Sequence, residues 1–201
     1  MTAAPLRMQY RRGVSLGSDM TPLTPGNCTN VTPAGLRDVW LRMDDRGLLG
    51  ECRQERYRAS GPGGQRRNKV ETAIRLRHLP SGLVSQAEES RYLEENRTRA
   101  VKRLRERMAL EIRLPFDLES PRSVPELEAQ RSGGGLAVNR SNLWYPIIMA
   151  TVLDALEASE GSYAKAAHAL GLTTSQVLRF VRSDPQIQRV ASNMHRTNAV
   201  N

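Results

Sequence analysis

The run Ser60-Gly61-Pro62-Gly63-Gly64-Gln65-Arg66-Arg67-Asn68-Lys69 holds the residue types in this chain best suited to chemistry. Gly63 and Gly64 reach backbone conformations that cost other residues energy, so they can present the Gln65 amide and side chain at a sharp tip. Gly61 and Pro62 shape the approach, Pro62 by fixing its own φ. Arg66, Arg67 and Lys69 supply positive charge suited to phosphates. The pattern is an exposed loop carrying one uncharged polar group into a polyanionic setting. No ordinary nucleophile or general base lies near it. The plain alternative is a flexible basic turn with no chemistry.

Charge distribution points to the same partner class. Lys plus Arg is 30 against 21 Asp plus Glu, a net charge of +9, and residues 53–113 alone carry +8 of it. Residues 1–52 carry +1 and residues 114–201 are neutral. Charge gathered on one segment is what phosphate neutralisation needs, and the dominance of arginine suits bidentate contacts. Only two cysteines occur, Cys28 and Cys52, without metal-ligand spacing or a disulfide framework. With His78, His168 and His195 scattered, no metal and no cofactor is expected. No apolar run reaches the length of a membrane span, so no membrane partner is expected. The first eighteen residues lack acidic groups and contain Arg7, Arg11 and Arg12. That composition admits an organelle transit peptide, but a disordered lead in a cytoplasmic protein is the simpler reading.

The elements that must position the loop follow from caps, breakers and periodicity. Residues 1–31 read as a disordered lead. Thr32 and Pro33 signal a helix start, with Leu36, Val39, Trp40 and Met43 at helical spacing. Strands are expected over about 53–58 and 71–77, the second returning through Pro80 and Ser81-Gly82 into a third over 83–87. Ser90 is the expected cap of a long helix to about Ile112. Its apolar stripe is Leu93, Val101, Leu104, Met108 and Ile112, and its opposite side carries Arg97, Arg99, Lys102, Arg103, Arg105 and Arg107. The prolines and the Gly133-Gly134-Gly135 run make 114–142 read as a flexible linker, with a weak helix near 124–131.

Residues 57–108 closely resemble the catalytic domain of class I peptide-chain release factors. The resemblance rests on the Ser60 to Gln65 loop, Asn68-Lys69, Thr72-Ala73, the Arg75-containing strand and the spacing of His78, Pro80 and Gly82. It implies an α+β fold, a small mixed or antiparallel sheet whose loop and strands pack with a long helix, spanning 32–113. It also implies ribosome-dependent hydrolysis of the ester joining a nascent peptide to its tRNA. Carried over, Gln65 has the catalytic role, largely through its backbone N–H as an oxyanion donor, with Gly63 and Gly64 holding the geometry. Arg58, Arg66, Arg67, Lys69, Arg75 and Arg77 are the implied ribosomal RNA and tRNA contacts. The large-subunit RNA of the peptidyl-transferase centre and peptidyl-tRNA are the implied partners. Arg66-Arg67 stands where the family usually has His-Val. No decoding domain is evident, which makes the chain resemble the short, codon-independent members that rescue stalled ribosomes. Their basic C-terminal tail has no counterpart here.

The C-terminal residues 143–201 read as a small helical module. Tyr145-Pro146 opens an apolar helix, Ser162 caps a second that ends at Gly171, Thr173 or Thr174 caps a third, and Asp184-Pro185 starts a fourth. The order resembles a helix-turn-helix, with 174–182 in the recognition position. Arg179 and Arg182 are its cations, and Ser175 and Gln176 its candidate base readers. Such a module serves as a structural bundle, a dock for a ribosomal or accessory partner, or a DNA reader. The rivals to hydrolysis are therefore a non-catalytic RNA-binding factor and a DNA-binding regulator.

Overall fold

In the computed structural model the described residues are 36–58, 70–121, 123–132, 135–136 and 138–198. Helices Leu36–Arg42 (α1) and Asp45–Gly50 (α2) come first. Between them Asp44 leaves helical geometry, and its carboxylate accepts the Gly47 N–H at 2.8 Å to cap α2. Strands Cys52–Tyr57 (β1), Ala73–His78 (β2) and Val84–Ala87 (β3) form one antiparallel sheet in that order. The 19-residue helix Leu93–Glu111 (α3), about 28 Å long, packs across β2 and β3. The chain adopts the expected α+β class, with an antiparallel sheet.

Alternation along β2 buries Ile74, Leu76 and His78 and leaves Arg75 and Arg77 exposed on the other face. His78, expected in the turn, is instead the last residue of the strand. Its side chain is fully buried, edge-on to Trp40 with ring centroids 4.6 Å apart. Nδ1 lies 2.8 Å from Ser81 Oγ and Nε2 3.2 Å from Glu51 Oε2. Gly82, at φ 72°, closes the turn by donating its N–H to His78 O, in a region that side chains disfavour. Burial lowers the pKa of His78, and the Glu51 hydrogen bond opposes it only in part. The unfolded chain protonates this histidine near pH ~6.5, whereas the folded chain resists. Stability is therefore complete above that pH and falls as pH drops below it, by at most about 1.4 kcal/mol per pH unit from this group. Urea midpoints between pH 7.5 and 5.5 should fall more steeply for the wild type than for His78→Gln; parallel slopes would refute this.

Helix α3 starts later than Ser90. Tyr92 is its N-cap residue and makes no capping bond through its side chain. Ser90 is held outside the helix because Asn96 binds both its N–H and its C=O. Arg105, expected on the solvated side of α3, is buried and donates to Asp45 Oδ1 at 2.6 Å and Met43 O at 2.7 Å. It clamps α3 to the α1–α2 turn.

Pro125–Ala129 (α4) and the short pair Arg131–Ser132 (β4) and Gly135–Leu136 (β5) lie within residues 114–142. Leu114, Phe116, Val124 and Leu127 are buried there. Helices Tyr145–Ala158 (α5), Tyr163–Ala169 (α6), Thr174–Ser183 (α7) and Pro185–Asn198 (α8) complete the described chain. Every residue of α5 from Tyr145 to Leu156 is buried, as a helix apolar on all sides must be. It touches α1, α3, α4, α6 and α8, so one apolar core runs from Trp40 to Ala191. Ser162 caps α6 through Lys165 N–H. Thr173 and Gln176 form a reciprocal capping box at the start of α7.

Inside this core sits an ion network. Arg37, with no exposed side-chain area, donates to both carboxylate oxygens of Asp154 at 2.8 and 2.7 Å, to Asp38, and to Ile112 O at 2.9 Å. Arg113 reaches the same Asp154 at 3.4 Å, and Leu114 N–H donates to it at 3.2 Å. Burial holds the Arg113 pKa down to about 10, against the pull of Asp154. One carboxylate on α5 thus joins α1 and the exit of α3.

Candidate functional site

The candidate catalytic loop hangs between β1 and β2. The register pairs Tyr57 with Ala73, so the antiparallel ladder brings the two stems together. Gly61, Pro62, Gly63, Gly64, Gln65, Arg66, Arg67 and Lys69 lie outside the described residues. What the structure describes is the base that carries them. Arg58 on the outgoing stem pairs with Glu71 on the return stem at 3.5 Å. Tyr57 donates its hydroxyl to Glu88 at 3.1 Å, and the Arg75 guanidinium lies 5.3 Å from the Tyr57 ring centroid. Arg75 and Arg77 share the outer sheet face with Arg53 and Glu55, which stand opposite them on β1. This face is open, basic and continuous with the loop stems.

Asn96 is the anchor that sequence reasoning missed. Fully buried on α3, it donates to Thr72 O at 2.7 Å and Ser90 O at 2.8 Å, and accepts from Ser90 N–H at 2.9 Å. It ties the return stem of the loop to the long helix. Only its position one turn into an otherwise charged helix start could have hinted at this. Asn96→Ala removes all three bonds and leaves half-buried backbone groups of Thr72 and Ser90 without these partners. The expected cost is about 2–4 kcal/mol in urea unfolding. A cost below about 1 kcal/mol would mean that the sheet alone holds the loop base.

Around this base the arginines of α3 are mostly engaged: Arg97 with Glu94, Arg103 with Glu89 and Arg107 with Glu111. On α7 Ser175, Arg179 and Arg182 are exposed, but Gln176 is not a free base reader, because its Oε1 accepts the Thr173 N–H at 2.8 Å. Among the described residues no group of three or more His, Cys, Asp or Glu side chains could hold a metal ion. No helix among them is long and apolar enough to cross a membrane.

Residues 49–135 match the family model of the RF-1 domain, from α2 through the loop and α3 to the start of β5. This segment is similar to the RF-1 domain of peptide chain release factors. The chain is 37% identical over 98 residues to peptide chain release factor 2 of Campylobacter concisus, covering 49% of this chain and 25% of that protein. It is 44% identical over 109 residues to peptide chain release factor 1 of Granulibacter bethesdensis, covering 51% and 30%. To peptide chain release factor 1 of Chloroherpeton thalassium it is 42% identical over 71 residues, covering 35% and 18%. The chain thus spans less than a third of the length of these relatives. No solved structure matches it. Within the matched segment fall Asn96, the basic outer sheet face and the Gly63-Gly64-Gln65 tripeptide. Helices α5–α8 lie beyond it and pack against its α3 through α5.

Proposed function

We propose that this protein hydrolyses the ester bond of peptidyl-tRNA on the ribosome, and that it does so without a stop codon, as a rescue factor. The observation that carries the reading is the RF-1 domain match, which encloses the glycine-glycine-glutamine loop. Water attacks the ester carbonyl carbon, the carbonyl oxygen becomes an oxyanion, and the tRNA ribose oxygen leaves with a proton. Gln65 donates its backbone N–H to that oxyanion, with Gly63 and Gly64 allowing the turn that aims it. Arg58, Arg66, Arg67, Lys69, Arg75 and Arg77 neutralise the surrounding RNA phosphates. A general base from the protein is not required where RNA and substrate supply the proton path.

Codon independence draws its support from the resemblance to the short, codon-independent members of the family. Among the described residues outside the matched segment, α1, most of α2 and α5–α8 turn their inward faces to the core. The test is peptide release from purified ribosomes holding peptidyl-tRNA, with an empty decoding channel, a sense codon or a stop codon. Release in all three supports rescue. Release at stop codons alone overturns codon independence, and no release in any complex overturns hydrolysis in favour of a non-catalytic RNA-binding role.

A further inference from the structure

Between the open edge of β3, the exposed side of α3 and the first turns of α8 runs a groove of ≈ 960 Å³. Its cations are Arg99, Lys102, Arg103, Arg107, Arg140 and Arg189, against the carboxylates of Glu106 and Glu111. Arg99, Arg103 and Arg107 form a row on α3 with about 6 Å between successive levels. Arg140 and Arg189 come from beyond the matched segment, so the groove exists only because α8 is packed alongside α3. Arg140 is bound to Glu106 at 2.7 and 3.0 Å and lies 3.5 Å from Asp184. Lys102 and Arg189 are exposed and have no ion-pair partner among the described residues.

The edge of β3 decides what the groove takes. His78 N–H bonds to Leu83 O, which sets the ladder phase and turns the N–H and C=O of Val84 and Gln86 away from β2. Arg107 donates to Val84 O at 2.6 Å and Arg103 to Gln86 O at 2.7 Å. Both outward carbonyls are therefore occupied, while the two outward N–H groups have no acceptor among the described residues. A protein strand adding to this edge needs those carbonyls, and the arginines deny them. What remains is donors and positive charge, which suits a ligand made of acceptors.

We infer that this groove, completed by the C-terminal helices, holds a strand of RNA by its phosphodiester backbone. The choice of RNA rests on the ribosomal reading above; the anion chemistry rests on the groove itself. The probe is a fluorescein-labelled oligouridylate of about 12 nucleotides, titrated with the full chain at several salt concentrations. Lys102→Gln with Arg189→Gln should weaken binding on the order of tenfold near 0.1 M salt and lower the slope of log K against log salt by about 1.4. The charge-conserving pair Lys102→Arg with Arg189→Lys should restore both. Unchanged affinity and slope in the glutamine variant overturn the proposal. So does polyglutamate competing as well as RNA, which would make the partner an acidic protein. In the release assay the glutamine variant should need more protein for half-maximal release and keep its rate at saturation. If neither protein releases peptide while RNA binding still drops, the hydrolase reading fails and the groove stands.

Discussion

Replacing Gln65 by proline should reduce peptide release by about 10²–10³-fold at saturating protein, because proline removes the N–H that meets the oxyanion. Gln65→Ala keeps that N–H and loses only the side chain, so it should retain the larger part of the rate. The ordering of the two variants is the informative result. If alanine is as damaging as proline, the side-chain amide is the working group and the backbone donor is not. If proline releases peptide at the wild-type rate, the loop is not catalytic at all. Ribosome binding should be nearly unchanged in both, since the charges around the loop remain, so the loss belongs to the rate at saturation and not to the protein needed to reach it.

Asp154→Ala should be the most damaging substitution outside the loop. Asp154 has no exposed side-chain area and receives bonds from Arg37, Arg113 and Leu114 N–H. Removing it leaves the buried Arg37 guanidinium with Asp38 as its one remaining carboxylate and takes from Arg113 the carboxylate it reaches at 3.4 Å. Breaking a buried pair from one side costs about 3–5 kcal/mol, far above the median surface ion pair. Chemical denaturation of the purified variant measures this directly. A cost near 1 kcal/mol would mean that water reaches the site and screens the arginines. Arg42 and Glu126, paired at 2.6 Å but with Arg42 half-exposed, offer a contrast: that pair should be worth under about 1 kcal/mol.

The sequence made the three strands, the turn at Gly82 and the caps at Ser162 and Thr173 legible because each has a local cause. Gly82 demands its turn, Ser162 and Thr173 sit where orphan N–H groups need an oxygen, and Pro146 and Pro185 start helices near their first turn. Helical spacing also found Val101, Leu104 and Met108, all buried on α3. What stayed hidden was long-range. Arg37 is one more arginine in a basic chain until Asp154, 117 residues away, is placed against it. Asn96 reads as a polar residue in a charged helix, and its bond to Thr72 O crosses 24 residues. The prolines of 114–142 report loop composition, but not that Leu114, Phe116, Val124 and Leu127 lie among the buried residues of the fold. Arg105 was placed by charge on the wet side of α3, whereas its partners on the α1–α2 turn draw it under cover.

Helix α3 is covered twice, by the sheet along one flank and by α5 along another. Most helices of a small α+β fold have half their circumference free to drift. Here Asn96, Ala100, Val101, Leu104, Arg105, Glu106, Met108 and Ala109 are all enclosed. The C-terminal helices therefore do more than lengthen the protein: together with the sheet they leave the middle of α3 only a narrow exposed ribbon on the groove side. Of the middle turns of that ribbon, Arg99, Lys102, Arg103 and Arg107 are the exposed positions that face the groove. At those four groove-facing positions, replacement by an uncharged residue also changes the charge that the molecule shows to its surroundings.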